Sequence, residues 1–288
     1  MSENSIISSR GAPFKTEFKS VAIVIPMYNE IDSIPLLAYR LKGVMRILSD
    51  HMNTQLIFID DGSNDMTYRE IQAHFEGMDN VHIIRHWRNM GFSSALRTGI
   101  DKALNLNVDL IVTIDADTNY DHFYIPMFVD NFHSDCDIMT ASPWHPEGQR
   151  KFFPKHRLIL SLGLSWLYRM VLRQFNQPLY TYSSCFRVAK SDVYHKIRWE
   201  GTDFMATSEI MVRCIINGMR VKEFPFNVNP RWFGMSKMKK LKQIILHLKF
   251  LWKVWKNPEA FKIDESTYSV NVVKDEIKTN RSLLHRSP

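Results

Sequence analysis

Four short runs rich in β-branched residues, VAIVIP, QLIFIDDGS, VHIIRH and DLIVTIDAD, dominate the first 120 residues. Between them lie PLLAYRLKGVMRIL, MTYREIQAHF and FSSALRTGIDKALNL, in which apolar residues recur at helical spacing. Short apolar runs alternating with helical stretches predict a layered α/β fold with a mainly parallel sheet flanked by helices. No other feature of the chain narrows the choice of architecture as far. After Asp121 the alternation weakens. CDIMTASPWHPEG reads as a strand running into a loop, RLILSLGLSWLYRMVLRQF as a helix with an apolar stripe, and ATSEIMVRCIING as a helix stopped by Gly218. RVKEFPFNV reads as a strand whose Pro225 suits an edge position. The 288 residues fit one large domain with an extension. The boundaries expected are a flexible segment over 1–19, the catalytic-sized domain over 20–238, a basic amphipathic helix over 239–257 and a loose tail over 258–288.

In open parallel sheets ligands bind beyond the carboxyl ends of the strands. Three of the runs end there in acidic or polar clusters: Tyr28, Asn29 and Glu30; Asp60 and Asp61; Asp115 and Asp117. Residues two apart in an extended chain face the same side, so Asp115 and Asp117, with Ala116 between them, converge on one spot. Two like charges that close raise a pKa or gather a cation. A solvated loop with helix-capping aspartates is the plainer reading of such a pair taken alone. The set of clusters, in a chain of net charge +7, favours an anionic ligand. A hard divalent ion is held by one or two carboxylates plus substrate phosphates. Asp115 and Asp117 therefore suggest a Mg²⁺ or Mn²⁺ site shared with a diphosphate. A tyrosine face and acceptor carboxylates nearby suit a nucleobase. The acidic strand ends argue against nucleic acid as a partner.

Cys136, Cys185 and Cys214 are far apart and form no CxxC, so neither a disulfide framework nor a zinc site is expected, and a reducing compartment is. The first twenty residues are polar and lack the apolar stretch of a secretory leader. The longest apolar stretch, Leu158 to Leu172, is shorter than the roughly 20 residues a spanning helix needs. No membrane span is expected, and the chain is expected to be cytoplasmic.

VAIVIPMYNE, FIDDGSND, NMGFSSALRTGI and TIDADTNYD, in that order, resemble the successive motifs of family-2 glycosyltransferases of GT-A fold. YSSCFRVAKSDV, SEIMVRCIINGMRVKEFPF and RWFGMSKM extend the likeness to the dolichol-phosphate mannosyltransferase and polyprenyl-phosphate glycosyltransferase branch, over about Val21 to Lys240. The resemblance implies a metal-dependent inverting transfer from a GDP- or UDP-sugar to a polyprenyl phosphate, or else to a glycan hydroxyl in polysaccharide synthesis; a non-catalytic nucleotide-sugar binding module is the alternative of a different class. By it, Pro26, Tyr28, Glu30 and Asp61 would hold base and ribose, and Asp115 and Asp117 the metal and diphosphate, with Asn119 beside them. Ser183 and Arg187 would line the acceptor side, and Arg231 and Lys237 would reach the donor phosphates. Glu209, with Asp203 behind it, would be the base if the acceptor is a hydroxyl. One departure stands out: Pro143 occupies the place where the dolichol branch tends to carry an Arg for the acceptor phosphate, with Arg150, Lys151, Lys155 and Arg157 as possible substitutes. His145 and His156 show no metal-ligand spacing. Gly91 and Gly99 would allow close helix packing.

In KMKKLKQIILHLKFLWKVWKN, cations flank an apolar face made by Leu241, Ile244, Ile245, Leu248, Leu251, Trp252 and Trp255. Such a helix can lie in a membrane interface with Trp at headgroup level, or pack on the domain. With the net positive charge, peripheral attachment to the cytoplasmic face of a membrane is the expectation, with a membrane partner subunit possible.

Overall fold

The computed structural model describes residues 14–117, 120–148, 155–226 and 240–263. Its order is β1 (Ser20–Met27), α1 (Ile34–Ser49), β2 (Asn53–Asp60), α2 (Thr67–Phe75), β3 (Val81–Arg85), α3 (Phe92–Asn105), β4 (Leu110–Thr113), α4 (Ile125–Asp130), β5 (Ile138–Ser142), α5 (Lys155–Val171), β6 (Arg187–Lys190), α6 (Ser191–Lys196), α7 (Met205–Ile216), β7 (Val221–Pro225) and α8 (Lys240–Lys256). The sheet runs β3-β2-β1-β4-β6-β5-β7. Only β6 is reversed among these described strands, antiparallel to both β4 and β5. The mainly parallel α/β expectation is borne out.

Side-chain alternation explains how the sheet carries helices on both faces. Val21, Ile23 and Ile25 of β1 join the cluster that includes Leu37 and Leu41 of α1 and Ile71 of α2. Ala22 and Val24 turn to the opposite cluster, with Ala95 and Ile100 of α3 and Ile210 of α7. Each such Val, Ile or Leu buried from water is worth about 1.5–3 kcal/mol, so β1 is held from both sides. Gly99 lets α3 come close, since a Cβ there would meet Val24 at 2.3 Å. Pro26, which cannot donate to a ladder, lies beyond the last β1–β4 pair, Val24 with Thr113. Pro225 ends the edge strand β7, as the sequence leads one to expect.

Two boundaries shift. The segment 14–19, expected to be flexible, is tied down: Phe14 stacks on His51 at 4.2 Å, Thr16 donates to the Phe132 carbonyl at 3.0 Å, and the Lys19 amide donates to Asp109 at 2.8 Å. The expectation of a loose tail from Pro258 does not hold over the described residues 258–263. Phe261 packs edge-on against Phe250 of α8, and Asn217 clamps the 261–263 backbone with its side-chain amide. Both shifts have the same cause, a single aromatic anchor that a mainly polar stretch hides.

Candidate active site

The parallel strands β1, β2, β3 and β4 all deliver their carboxyl ends to one edge of the sheet, and β6, running the other way, starts there. After β1 the chain turns through Asn29 in the left-handed region, φ 52°. This turn is stitched to the loop after β2. The Asn29 amide donates to Ser63, the Asn64 amide donates to the Asn29 side chain, and the Glu30 amide donates to Thr67. The Tyr28 hydroxyl accepts from Asn64 at 3.4 Å, and the Glu30 carboxylate accepts from Ser33 at 3.1 Å. Pro26 is buried in the strand itself and reaches the edge only through the residues it leads into.

Asp60 and Asp61 are both buried. Asp60 accepts from the Ser63 amide and pairs with Arg85 at 3.1 Å. Asp61 receives His86 Nδ1 at 2.7 Å, the Met90 amide at 2.9 Å and the Gly91 amide at 2.8 Å. The resemblance gives Asp61 a share in holding base and ribose. In the structure its two oxygens also gather the 86–91 loop. Gly62, at φ +70°, is needed where the two loops cross, because a Cβ would lie 2.3 Å from the Arg88 backbone. Gly91, at φ +91°, starts α3 in a conformation that L side chains rarely adopt.

Between these loops opens a cleft of about 740 Å³ lined by Tyr28, residues 62–64 and residues 85–89. Trp87 is 79% exposed, with the Arg88 guanidinium 4.3 Å from its ring centroid. The sequence reading stopped at three strand ends and missed this fourth contribution. The signal was available: VHIIRH ends on the same edge as the other parallel strands.

Asp115 and Asp117 follow β4 and flank buried Ala116. The Cys185 thiol donates to Asp115. Burial, then the negative charge of Asp115, holds that thiol well above its usual range. Tyr120 lies against Ser184 at 3.4 Å, and its hydroxyl is pushed up by burial and further by the charges of both Asp115 and Asp117. One phenol thus feels the charge of both carboxylates. Two oxygen donors of this kind fit Mg²⁺ or Mn²⁺ with the remaining ligands drawn from a diphosphate. Among the described residues no three His, Cys, Asp or Glu side chains gather to hold a metal. Asn119, named as a third ligand, lies outside the described residues. Below the pair, His122 is fully buried and its Nε2 donates to the Asp115 carbonyl at 3.1 Å. Burial, with the field of Arg40, pushes this imidazole down to about 3, so it is neutral.

The acceptor side departs from expectation in two places. Arg187 does not line a pocket. It is 2% exposed and donates to the carbonyls of Thr207 and Tyr182 in the core. At the first position of a strand between β4 and β5, its side chain is enclosed before it can reach the edge. Glu209 is likewise committed. It is buried, pairs with Arg213 at 2.7 Å, and accepts from the amides of Glu200 and Gly201. A carboxylate so held is a clasp for the 200–201 loop, an arrangement that does not favour the base role the resemblance implies. That loop is also drawn to α3, where Ser93 donates to the Gly201 carbonyl at 2.7 Å and Phe92 stacks on Phe204 at 4.6 Å. Asp203, at φ 49°, comes close to Gly91. Ser183 is exposed beside a small cavity of about 30 Å³ that also touches Trp144, Tyr168 and Tyr182. Pro143 directly follows β5 on the same edge. Arg231 and Lys237 lie outside the described residues, as do Arg150, Lys151 and the side chains of Lys155, His156 and Arg157.

Helix α8 packs inward through Phe250, Leu251 and Val254, and His247 bonds the Tyr168 hydroxyl of α5 at 2.7 Å. Ile245, Leu248, Trp252 and Trp255 of the same helix are exposed, as are Leu160, Trp166 and Met170 of α5. The helix therefore does both things considered for it: one side packs on the domain and another is left bare. No described helix is long and apolar enough to cross a membrane.

Comparison with known proteins bears on this geometry. The family model for glycosyl transferase family 2 matches residues 22–198. Dolichol-phosphate mannosyltransferase of Pyrococcus furiosus is 26% identical over 239 residues, 82% of this chain and 64% of that protein. Polyprenol monophosphomannose synthase of Mycolicibacterium smegmatis is 26% identical over 220 residues, covering 75% of this chain and 80% of that one. The chain thus spans less than two thirds of the Pyrococcus relative's length. Among solved structures, glucosyl-3-phosphoglycerate synthase from Mycobacterium tuberculosis, in complex with Mn²⁺, UDP and glucosyl-3-phosphoglycerate, superposes with a TM-score of 0.59. The overlap covers 81% of this chain and 80% of that one at 16% identity, a likeness of fold.

Proposed function

The chain belongs to glycosyl transferase family 2, and from that premise we propose that it transfers a sugar from a nucleotide-diphospho-sugar to a polyprenyl phosphate at a membrane surface. The observation that carries the reading is the pair Asp115 and Asp117 on the same sheet edge as the cleft lined by Tyr28 and residues 85–89. The nucleoside would lie in that cleft, between an exposed indole and a tyrosine, and the diphosphate would run toward the carboxylates. A Mg²⁺ or Mn²⁺ ion held there by Asp115 and Asp117 would neutralise charge on the diphosphate. Arg231 and Lys237 are assigned to the same phosphates on the strength of their sequence motif.

In the reaction, an acceptor phosphate oxygen forms a bond to the anomeric carbon as the bond from that carbon to the diphosphate breaks. Attack from the face opposite the leaving group inverts the configuration. A phosphate acceptor is already ionised and needs no general base. This agrees with the commitment of Glu209 to Arg213 and the 200–201 loop. The names of the Pyrococcus and Mycolicibacterium relatives support the acceptor class. The bare apolar sides of α5 and α8 support contact with a bilayer surface, where a lipid-linked phosphate would be presented.

The test is ligand linkage. A ligand that binds the native state raises its melting temperature. GDP or UDP is expected to raise it in Mn²⁺ or Mg²⁺ and to lose that effect in excess EDTA. An equal shift in both conditions would remove the shared metal–diphosphate site.

A further inference from the structure

We propose that His122 is a positioning residue for the donor carboxylates: by donating to the main-chain carbonyl of Asp115 it fixes the loop that carries Asp115 and Asp117. The inference rests on the functional reading above and names a residue that reading does not use. A carbonyl only accepts, so the 3.1 Å contact to Asp115 requires the proton on Nε2 of His122. The other ring nitrogen, Nδ1, is then an acceptor. It is buried and lacks a hydrogen-bond partner within the described protein, and so does Nη1 of Arg40. The guanidinium of Arg40 is close enough to act on the imidazole.

The support under them is rigid. Arg40 sits on α1, and its Nε stands 3.6 Å from Asp121. Asp121 caps the following turn by accepting from the Phe123 amide at 3.1 Å. Gly43, one turn further along α1, leaves no room for even a Cβ, which would lie 2.5 Å from the Phe123 ring. The packed helix therefore holds the 121–124 turn, the turn holds His122, and His122 holds the Asp115 backbone. The chain of contacts ends at the Asp115 backbone, whose carboxylate is assigned to the metal, so its loss should act on ligand geometry as well as on the fold.

The experiment measures the affinity of full-length protein for Mn²⁺ together with GDP or UDP, by calorimetry, beside the melting temperature of the ligand-free protein. His122→Phe keeps a flat ring and removes the donor. It is expected to melt near wild type and to weaken the metal–nucleotide affinity by about tenfold, the size of one lost hydrogen bond. His122→Gln, whose amide can donate, is expected to recover most of that loss. Wild-type affinity in His122→Phe overturns the proposal. If that variant does not fold, Arg40→Met carries the test. A roughly threefold weakening supports the proposal and an unchanged affinity overturns it. Wild-type protein that binds neither nucleotide with Mn²⁺ refutes the functional reading and this inference together. A wild type that binds beside an unaffected His122→Phe refutes this inference alone.

Discussion

In the first half of the sheet, carboxylates organise backbone. Asp61 collects the amides of Met90 and Gly91, Asp60 that of Ser63, and Asp115 stays at the edge with Asp117. In the second half, cations are absorbed by structure. Arg187 is enclosed by carbonyls, Arg169 donates to the Leu179 carbonyl and lies over Tyr180, Arg213 pairs with Glu209, and Arg220 chelates Asp137. The donor edge is thus preorganised with its negative groups in place. The acceptor half leaves few described cations free of structural work. A residue's charge is therefore a poor guide to function in the second half and a good one in the first.

The sharpest way to break this contrast is at Asp115 and Asp117. Replacing either by Ala should lower transfer by about 1,000-fold or more, the scale of losing a main electrostatic stabiliser, with melting little changed. Turnover in Mn²⁺ beside a thermal melt checks it, and retained activity in either variant would erase the special status of the first half. Next in size is Arg187→Ala. A core group that donates to two carbonyls should cost about 3 kcal/mol in urea unfolding when removed. A variant of normal stability with a raised acceptor KM would instead return Arg187 to the acceptor site.

A third effect appears on acidification. Burial pushes His247 down to about 4 from its ordinary 6.5, so the folded chain holds it neutral. The unfolded chain binds a proton first as pH falls, so this contribution is full above about 6.5 and is lost between there and about 4. The destabilisation attributable to His247 at pH 5 should be about 2 kcal/mol relative to neutral pH. It should be missing in His247→Leu, compared by urea unfolding at the two pH values. The smallest effect concerns the bare side of α8. Trp252 and Trp255 replaced by Ala should weaken the high-salt part of binding to anionic vesicles by about 1–2 kcal/mol. The lysine-dependent part, about 1 kcal/mol per cation, should vanish with salt. Flotation at two salt concentrations separates the terms, and wild type that stays in solution at low salt would make that side a partner-protein surface.

Much of the candidate donor edge was legible because the strand–helix alternation gives the edge on which Asp115 and Asp117 emerge. The expectation that period-two alternation also sets their facing is not carried by the strand, which ends at Thr113 before either carboxylate. Arg187 and Glu209 were not legible in the same way. A cation at a strand start, or a carboxylate on a helix, reads identically whether it faces a ligand or a carbonyl, and only tertiary packing decides. Strand β6 escaped notice because RVAK is four residues with no alternation to count. The anchors Phe14 and Phe261 were lost in polar surroundings for a related reason: one buried ring fixes a segment without leaving any period.

The reversed strand has a consequence for the order in which the protein is made. β1 to β4 form a paired sheet among themselves, complete once Thr113 has been synthesised. β5 pairs only with β6 and β7, and β6 is what joins it to β4. On the ribosome, β5 therefore emerges with no strand to pair with, and a nascent chain that has passed Ser142 must keep an apolar ribbon open until Arg187 to Lys190 arrive to fill the gap. The candidate donor edge is a finished object while the second half of the sheet is still a loose end, and α8, with its bare apolar side, is made after every strand.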